Sequence, residues 1–336
     1  MRQALIHPNQ ADVKTRIEQF AGQKVYGQIE LVEDTTQIMN IYRGQVMRLD
    51  MNEYYVLGDV HEPRFGMQDT PKFWVKKAID LDSGETKIIK LVFHEEFVAH
   101  IGALHIRCFR SPEKEARVLD LTRDDDRFMH GYSVLDPKRN VVRVIDFIYG
   151  KTLYEWIMDL EMPHEEYFHT LFPIILRELC TCMKAIQVLH EHGLCHGDIR
   201  NDHIIIEQGT KLFRWIDFDL TQDYSDYDVW SFSNILWFCA GMGMTTFHEV
   251  ANSSAFPDSA KLRLSEDDAS AFYRYRILNL KKLYGYIPEA LNAILMRFAT
   301  NSTHFYDRMD QMVADVEEAM AKHFPLPGPA GRQALG

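Results

Sequence analysis

Residues 194–219 constrain this chain more than any other stretch. They read Leu-Cys-His-Gly-Asp-Ile-Arg-Asn-Asp-His-Ile-Ile-Ile, a linker over 207–213, then Arg-Trp-Ile-Asp-Phe-Asp. Two short apolar runs, Ile204–Ile206 and Phe213–Ile216, read as the strands of a small hairpin that turns at Glu207, Gln208, Gly209 and Thr210. Polar residues stand at the strand mouths: Asp198 and His203 before the first, Asp217 after the second. Hairpin pairing brings such ends together. Two carboxylates and an imidazole can then converge on one cleft, a set suited to orienting a hydroxyl and holding a divalent ion beside phosphates.

The stretch resembles the catalytic loop and metal-binding motif of the protein-kinase-like superfamily, whose usual pattern is His-Arg-Asp, a short spacer, Asn, then Asp-Phe-Gly. Here the pattern is His196-Gly197-Asp198, residues 199–202, His203, then Asp217-Phe218-Asp219. The His-Gly-Asp form is similar to that of aminoglycoside and choline kinases. A His at the Asn position is similar to that of lipopolysaccharide-core kinases. Further on, Asp228-Val229-Trp230-Ser231 resembles the superfamily's Asp-x-Trp-Ser helix start, with Asp228 expected to brace the catalytic loop.

Other segments follow in the order the resemblance requires. Phe73–Asp80 and Thr86–Phe93 form a hairpin turning at Asp82-Ser83-Gly84. Lys90 on its second strand matches the lysine that pairs with nucleotide phosphates. Ile89 and Leu91 make the other face apolar as well, so alternation alone leaves Lys87 as the rival. Ser111-Pro112-Glu113 opens a helix with a capping Ser, Pro in the first turn and an acid beside it. Glu115 on that helix is the expected partner of Lys90, and Glu113 is the alternative, better suited to the cap. Tyr54–Gly66 occupies the place of a glycine-rich phosphate loop, but only Gly58 and Gly66 are present, a departure that leaves the phosphate cradle thinly marked. Tyr132–Leu135 and Asn140–Phe147 make another hairpin, after which Asp146, Phe147 and Ile148 resemble the hinge whose backbone binds adenine.

The helical half is announced by Tyr167–His192. Ile175, Leu179, Cys182, Met183, Ile186 and Leu189 hold one face of it, Pro173 marks its first turn or a preceding bend, and Gly193 ends it. Between Asp217 and Asp228 the chain is short, which leaves little surface on which to lay an extended peptide. Residues 245–265 read as irregular chain and Glu266–Leu280 as a helix. Pro288 starts another helix, with Leu291, Ile294, Leu295 and Phe298 on one face, and Met309–Met320 forms the last. Before residue 53, residues 8–21 are a helical candidate. Val25–Val32, Gln37–Tyr42 and Gln45–Leu49 look like antiparallel strands extending the sheet that Tyr54–Leu57 begins. Residues 94–110 are longer than a tight link and leave room for an extra element. The tail from Phe324 carries prolines and glycines without apolar period and should be mobile.

Composition sets the frame. The 336 residues contain 46% hydrophobic and 26% charged residues, ordinary for a globular chain. A formal charge of -12 argues against nucleic acid or an anionic membrane as the main partner. The five cysteines are odd in number and have no zinc spacing, so they read as buried thiols in a reducing compartment. The start lacks an apolar signal core, and the longest apolar run, Ile235–Met244, is too short to span a bilayer, which makes the cytoplasm the expected location without membrane insertion.

The resemblance therefore implies an α+β, bilobal protein-kinase-like fold. It has an N-terminal extension (1–52), an antiparallel-sheet N-lobe (53–147), a mainly helical C-lobe (148–323) and a tail (324–336). It implies an ATP- and Mg²⁺-dependent phosphotransferase. Asp198 would orient the acceptor hydroxyl, Arg200 would meet the transferred phosphate, and Lys90 held by Glu115 would neutralise phosphate charge. Asp217 would hold Mg²⁺. His203 would be a nitrogen ligand, a phosphate contact or the mark of an altered metal site. Asp219 would add a metal carboxylate or cap Thr221. The acceptor would be a hydroxyl-bearing small molecule or glycan, with protein Ser/Thr as the other class. The rival reading is a pseudokinase that acts as a nucleotide-binding or protein-interaction module.

Overall fold

The protein is described by a computed structural model over residues 10–62, 70–101, 104–224, 226–324 and 335. In chain order its first elements are α1 (Gln10–Ala21), β1 (Leu31–Val32), β2 (Val46–Leu49), β3 (Asn52–Glu62), β4 (Thr70–Asp80), β5 (Thr86–Lys90), β6 (Glu96–Ile101), β7 (Leu104–Arg110), α2 (Pro112–Leu121), β8 (Gly131–Leu135) and β9 (Val141–Asp146). There follow β10 (Gly150–Thr152), α3 (Leu153–Met158), α4 (His164–Thr170), α5 (Phe172–Glu191), β11 (Ile204–Glu207), β12 (Phe213–Trp215), β13 (Leu220–Gln222), α6 (Tyr227–Ala240), α7 (Phe247–Asn252), α8 (Asp258–Lys261), α9 (Glu289–Met296) and α10 (Met309–His323). The architecture is α+β, with a sheet-built N-terminal region and a mainly helical C-terminal one.

Two compact units divide the chain. The first comprises residues 1–95, 111–124 and 129–147, the second 96–110, 125–128 and 148–336.

The first unit is a seven-stranded sheet in the order β1-β2-β3-β4-β5-β9-β8. Its core face carries Met47, Tyr54, Val56, Ala78, Ile89, Leu91 and Val144, all buried. The amphipathic α1 buries Val13 and Ile17 against Tyr55 and Leu81. The N-terminal extension does extend the sheet, through β1 and β2, but β1 pairs with β2 in parallel. Gln37–Tyr42 is not a strand: Ile38–Asn40 form a 3₁₀ turn, closed by the Ile41 amide on the Ile38 carbonyl. Of Val25–Val32 only the last two residues pair. Strands β3 and β4 form the hairpin whose tip, with Gly66, lies outside the described residues. Gly58 stands at a register shift in β3 with φ +145°, a conformation few side chains tolerate. Ser111 caps α2 by accepting from the Lys114 amide, with Pro112 in the first turn.

The second unit is held by α5, whose expected face, from Ile175 to Leu189, is buried throughout. The predicted single helix is two: α4 and α5 meet at Leu171, with Pro173 in the first turn of α5. Residues 94–110 do hold an extra element, the β6–β7 hairpin, which forms a three-stranded sheet with β13. The stretch 245–265 is not irregular. Thr246 and Glu249 close a reciprocal cap over α7, and α8 follows. Glu266–Leu280 is not a helix. Its 3₁₀ turn at Glu266–Asp268 gives way to isolated bridges that tie Ala269 to Ile277 and Ser270 to Ala299. Helices α9 and α10 form as expected. Four cysteines are buried, and Cys195 is half-buried. Of the tail, Phe324 and Leu335 are described, and the Leu335 carbonyl accepts from the Trp156 indole at 3.3 Å. No described helix is long and apolar enough to cross a membrane.

The sheet β10-β11-β12 carries the residue 194–219 stretch. Its pairing places Gly150 against Glu207, with Ile204 opposite Trp215. A Cβ on Gly150 would lie 2.1 Å from the Ile206 carbonyl oxygen, so β10 can pair so closely only with glycine there. Gly150→Ala should destabilise the protein by about 1–3 kcal/mol through backbone displacement. Equilibrium denaturation checks this, and an unchanged midpoint would refute the close approach.

Candidate active site

The site residues fall into two groups, one in each unit. In the second unit, the loop from His196 to His203 lies between α5 and β11. Its anchor is Asp228, in the first turn of α6 and 1% exposed. The His196 amide donates to Asp228 Oδ2 at 2.7 Å and the Gly197 amide to Oδ1 at 2.9 Å. His190 on α5 reaches Oδ2 at 3.0 Å. Burial alone would raise the Asp228 pKa, but the His190 contact, the nearby His196 and the Gly197 amide carry it below the ordinary carboxylate range.

Under the loop runs a column of buried rings. Phe218 lies 5.7 Å from Phe128 and 4.5 Å from His196, which lies 4.8 Å from Trp215. The Trp215 indole donates to the Cys182 carbonyl of α5 at 3.1 Å. His196 and Phe218 are thus packing residues, and the polar groups of the loop are aimed by what they pack on.

Above this floor, Asp198, His203 and Asp217 come together. His203 Nδ1 donates to the Asp198 carbonyl at 2.7 Å, because a carbonyl can only accept. The same nitrogen is 3.7 Å from Asp198 Oδ2, and Nε2 is 3.5 Å from Asp217 Oδ2. With Nδ1 so engaged, the Nε2 edge of the ring faces the Asp217 carboxylate. Asp217 has φ +68°, a left-handed conformation that Asp tolerates better than most residues other than glycine. Partial burial raises the Asp198 pKa above the usual carboxylate range. His203 and Arg200 oppose that rise, and Asp217 and Asp202 add to it. The Arg200 guanidinium pairs with Asp202, with Nε 2.9 Å from Oδ1.

Asp219 is 2% exposed and pairs with Arg110 Nη1 at 2.7 Å. Arg110 ends β7 directly opposite Leu220 of β13. The expectation that Asp219 serves Thr221 or a metal did not include this partner. The signal was available as an arginine closing an unexplained insert.

In the first unit, Lys90 Nζ donates to Glu115 Oε1 at 2.7 Å, and both side chains are buried. Lys87, the rival, bonds Asp146 Oδ1 at 2.7 Å and Glu85. Glu113 lies exposed in the first turn of α2. The second oxygen of Glu115 accepts from Arg143 Nε at 3.1 Å. Arg143, buried and directly across the strands from Lys90, was missed in the sequence. Its signal is an arginine set in the apolar run Val-Val-Arg-Val-Ile. Asp146 is exposed at the end of β9, and Phe147 lies beneath the Lys77 ammonium, 4.1 Å from the ring centroid. Ile148 is half-buried and opens the next segment of the second unit.

Among the described residues, no group of three or more His, Cys, Asp and Glu side chains is placed to cage a metal ion. Mg²⁺ rarely uses such a cage: it is bound through one or two carboxylates together with phosphates and water. The Asp217 carboxylate fits that donor set, and the His203 nitrogen 3.5 Å from it does not.

Two substitutions test this scaffold. Asp228→Asn should cost about 2–4 kcal/mol near neutral pH, since it weakens charge-assisted bonds to buried amides. The folded-state pKa is depressed, so the stabilisation is present above the ordinary Asp range and is lost as pH falls through the folded value. The gap between variant and parent should therefore close in acid, as urea titrations at several pH values would show. Arg110→Ala leaves the Asp219 carboxylate without that counter-charge and should lower stability by about 3 kcal/mol or more. A melting temperature equal to the parent's would refute the contribution of the pair.

No protein-family model matches the chain. Sperm motility kinase 2B of Mus musculus is 25% identical over 135 residues, covering 39% of this chain and 26% of that protein. The sperm motility kinase Tcr mutant form of Mus musculus is 27% identical over 136 residues, with the same 39% and 26% coverage. The chain thus spans about a quarter of the length of these curated relatives. Similarity over a limited segment to proteins named as kinases, joined to a sheet-built unit and a mainly helical one, is consistent with the broader protein-kinase-like superfamily.

Proposed function

We propose that the protein is an ATP-dependent phosphotransferase that moves the terminal phosphoryl group to a hydroxyl acceptor. The observation that supports this best is the convergence of Asp198, His203 and Asp217 on a loop clamped by a buried carboxylate. Phosphoryl transfer needs little covalent chemistry from a protein. It needs positioning and compensation of charge.

In this reading Asp198 accepts the hydrogen bond of the acceptor hydroxyl and takes its proton as the new P–O bond forms. A raised pKa suits it to that task. Arg200 meets the charge on the transferred group. Lys90, Arg143 and Glu115 together carry a net positive charge suited to phosphate. Backbone groups of Asp146, Phe147 and Ile148 take adenine, and the β3–β4 hairpin, in which Gly58 lies, covers the phosphates. Mg²⁺, when bound, would neutralise charge on the phosphates. Asp217 would hold it, with His203 beside it, while Asp219 gives one oxygen to Arg110.

A compact acceptor, small molecule or glycan, is favoured over a protein Ser/Thr. The segment after Asp219 is paired with β7 as strand β13 and does not extend as a peptide-docking loop. A second reading, a nucleotide-binding or interaction module without turnover, is favoured by His203 standing where the superfamily pattern has Asn. Thermal shift with ATP and Mg²⁺ together with a turnover assay separates the two, since the module would bind without turning over.

Asp198→Asn should cut phosphate transfer by about 10²–10⁴-fold while nucleotide binding persists. Transfer within a few-fold of the parent would remove Asp198 from the reaction.

A further inference from the structure

Lys90 does not meet Glu115 alone. Ile89 and Leu91 beside it, and Val142 and Val144 on β9, turn into the buried core of the first unit's sheet. Alternation therefore sends Lys90 and Arg143, which are direct cross-strand partners, to the opposite face together. There α2 delivers Glu115 between them. Its Oε1 accepts from Lys90 Nζ at 2.7 Å, and its Oε2 accepts from Arg143 Nε at 3.1 Å.

Arg143 is also held from its other end. Its Nη1 donates to the Val141 carbonyl at 2.8 Å and to the Leu91 carbonyl at 3.3 Å. Leu91 directly follows Lys90, so one guanidinium grips both the chain beside the lysine and the lysine's counter-ion. The side chain is 1% exposed. A planar guanidinium, more weakly hydrated than an ammonium and with several donors in a fixed fork, suits a buried charge that must meet three acceptors at once.

The sign of its effect on Lys90 follows from charge. A Lys–Glu pair by itself is neutral. A lysine that turns from such a pair toward a phosphate strips a buried carboxylate of its counter-charge, which is costly. Arg143 changes both sides of that exchange. It keeps a positive charge on Oε2 when Lys90 turns away, and it repels the Lys90 ammonium from across the strands. In a buried site neither effect is screened by salt. Both weaken the lysine's hold on Glu115 and strengthen its attraction for an incoming anion. Because the attraction is coulombic, it grows with the charge of that anion.

We propose that Arg143 is a positioning residue that acts through Glu115 and Lys90: it frees the lysine ammonium for nucleotide phosphates, so that the site favours the nucleotide with the most phosphate charge. The role needs no contact between Arg143 and the nucleotide. It rests on the phosphotransferase reading above, in which Lys90 meets phosphate.

The test is calorimetric titration of the full chain with adenosine, AMP, ADP and ATP, Mg²⁺ being present throughout. The variants are Arg143→Met, Arg143→Gln as a second neutral replacement, Arg143→Lys, Lys90→Met, and Lys90→Met combined with Arg143→Met. Each is used if it melts with the parent's cooperativity. A neutral variant should bind ATP about tenfold more weakly and adenosine within about twofold of the parent, with AMP and ADP between. Arg143→Lys should recover most of the loss. Once Lys90 is replaced by Met, removing Arg143 should weaken ATP binding by less than about twofold more, because the group it acts through is gone.

Equal losses for adenosine and ATP, or failure of both neutral variants to fold, would make Arg143 a structural residue only and overturn the proposal. So would losses that simply add in the double variant, or a lysine replacement no better than methionine. A parent that prefers ATP to adenosine, with the same preference in every Arg143 variant, removes Arg143 from the site and leaves the phosphotransferase reading standing. A parent that holds ATP no more tightly than adenosine fails before any variant is made: the phosphotransferase reading then falls, and the role of Arg143 with it.

Discussion

A buried carboxylate with nothing to titrate it is costly to a fold, and the structure depends on one whose cost is met by backbone. Asp228 accepts two amide protons from consecutive residues, His196 and Gly197, and a third contact from His190. Consecutive amides of an extended chain point to opposite sides, so the loop must leave extended geometry to present both, and Gly197 at φ +84° supplies that turn. That path is what sets the direction of Asp198. The Asp198 carbonyl in turn receives His203 Nδ1, and the ring so oriented faces Asp217. One anion in a helix thus fixes the loop that carries Asp198, a hydrogen bond to the Asp198 carbonyl then fixes the His203 imidazole, and the ring lies 3.5 Å from the Asp217 carboxylate. The column of Phe218, His196 and Trp215 beneath them resists rotation of the loop as a whole.

The β6–β7 hairpin has a comparable role for the segment that follows Asp217. A short exposed stretch after a left-handed residue would be expected to fray, because few contacts offset its conformational entropy. Here Leu220, Thr221 and Gln222 pair with Arg110, Phe109 and Cys108, and Leu220 packs with Ile106 and Cys108. The Arg110–Asp219 pair closes the start of that ladder. Order in this segment therefore comes from a neighbouring hairpin of the same chain, with no added charge required to supply it. The same hairpin presents Leu104 and Ile106 to a cavity shared with Tyr227, Trp230 and Phe298, so its two ends serve different parts of the unit.

How much of this could be read in advance varied with how local the determinant is. The hairpin over 204–215 was legible because turn residues and apolar runs lie next to one another in sequence, and α2 because Ser111 and Pro112 announce it. Sequence alternation could not choose between Lys87 and Lys90, as both faces of β5 are apolar. Spatial partners chose: Glu115 faces one lysine and Asp146 the other. Glu266–Leu280 has helix-compatible composition, yet Arg276 stacks on Tyr273 and Trp237, and its neighbours bridge to distant residues. Those tertiary contacts outweigh propensity. The strand expected at Gln37–Tyr42 gives way to a 3₁₀ turn from which Ile38 and Ile41 pack onto the sheet's core. The cap of α7 is legible in the spacing of Thr246 and Glu249. Arg110 and Arg143 stand out in the pattern, one closing the 94–110 insert and the other inside an apolar run, but a charge in a strand declares its purpose only when its counter-ion is located.

Arg143 shows why that last limit is physical. Lys90 and Arg143 are direct cross-strand partners on β5 and β9, and like charges so placed repel. In a buried sheet the repulsion is not screened by salt. The arrangement is tenable because Glu115 enters from α2 and accepts from both cations with its two oxygens. Removing the glutamate would leave two buried cations facing each other, whereas removing either cation would leave an ordinary ion pair. The geometry thus makes the position of α2 a condition for the sheet's own stability, and it leaves the triad with one positive charge in excess. A helix that packed only by its apolar face could slide along the sheet. A helix that must deliver one carboxylate between two cations is held in register, and Val118 and Leu119 then fill the space that this register defines.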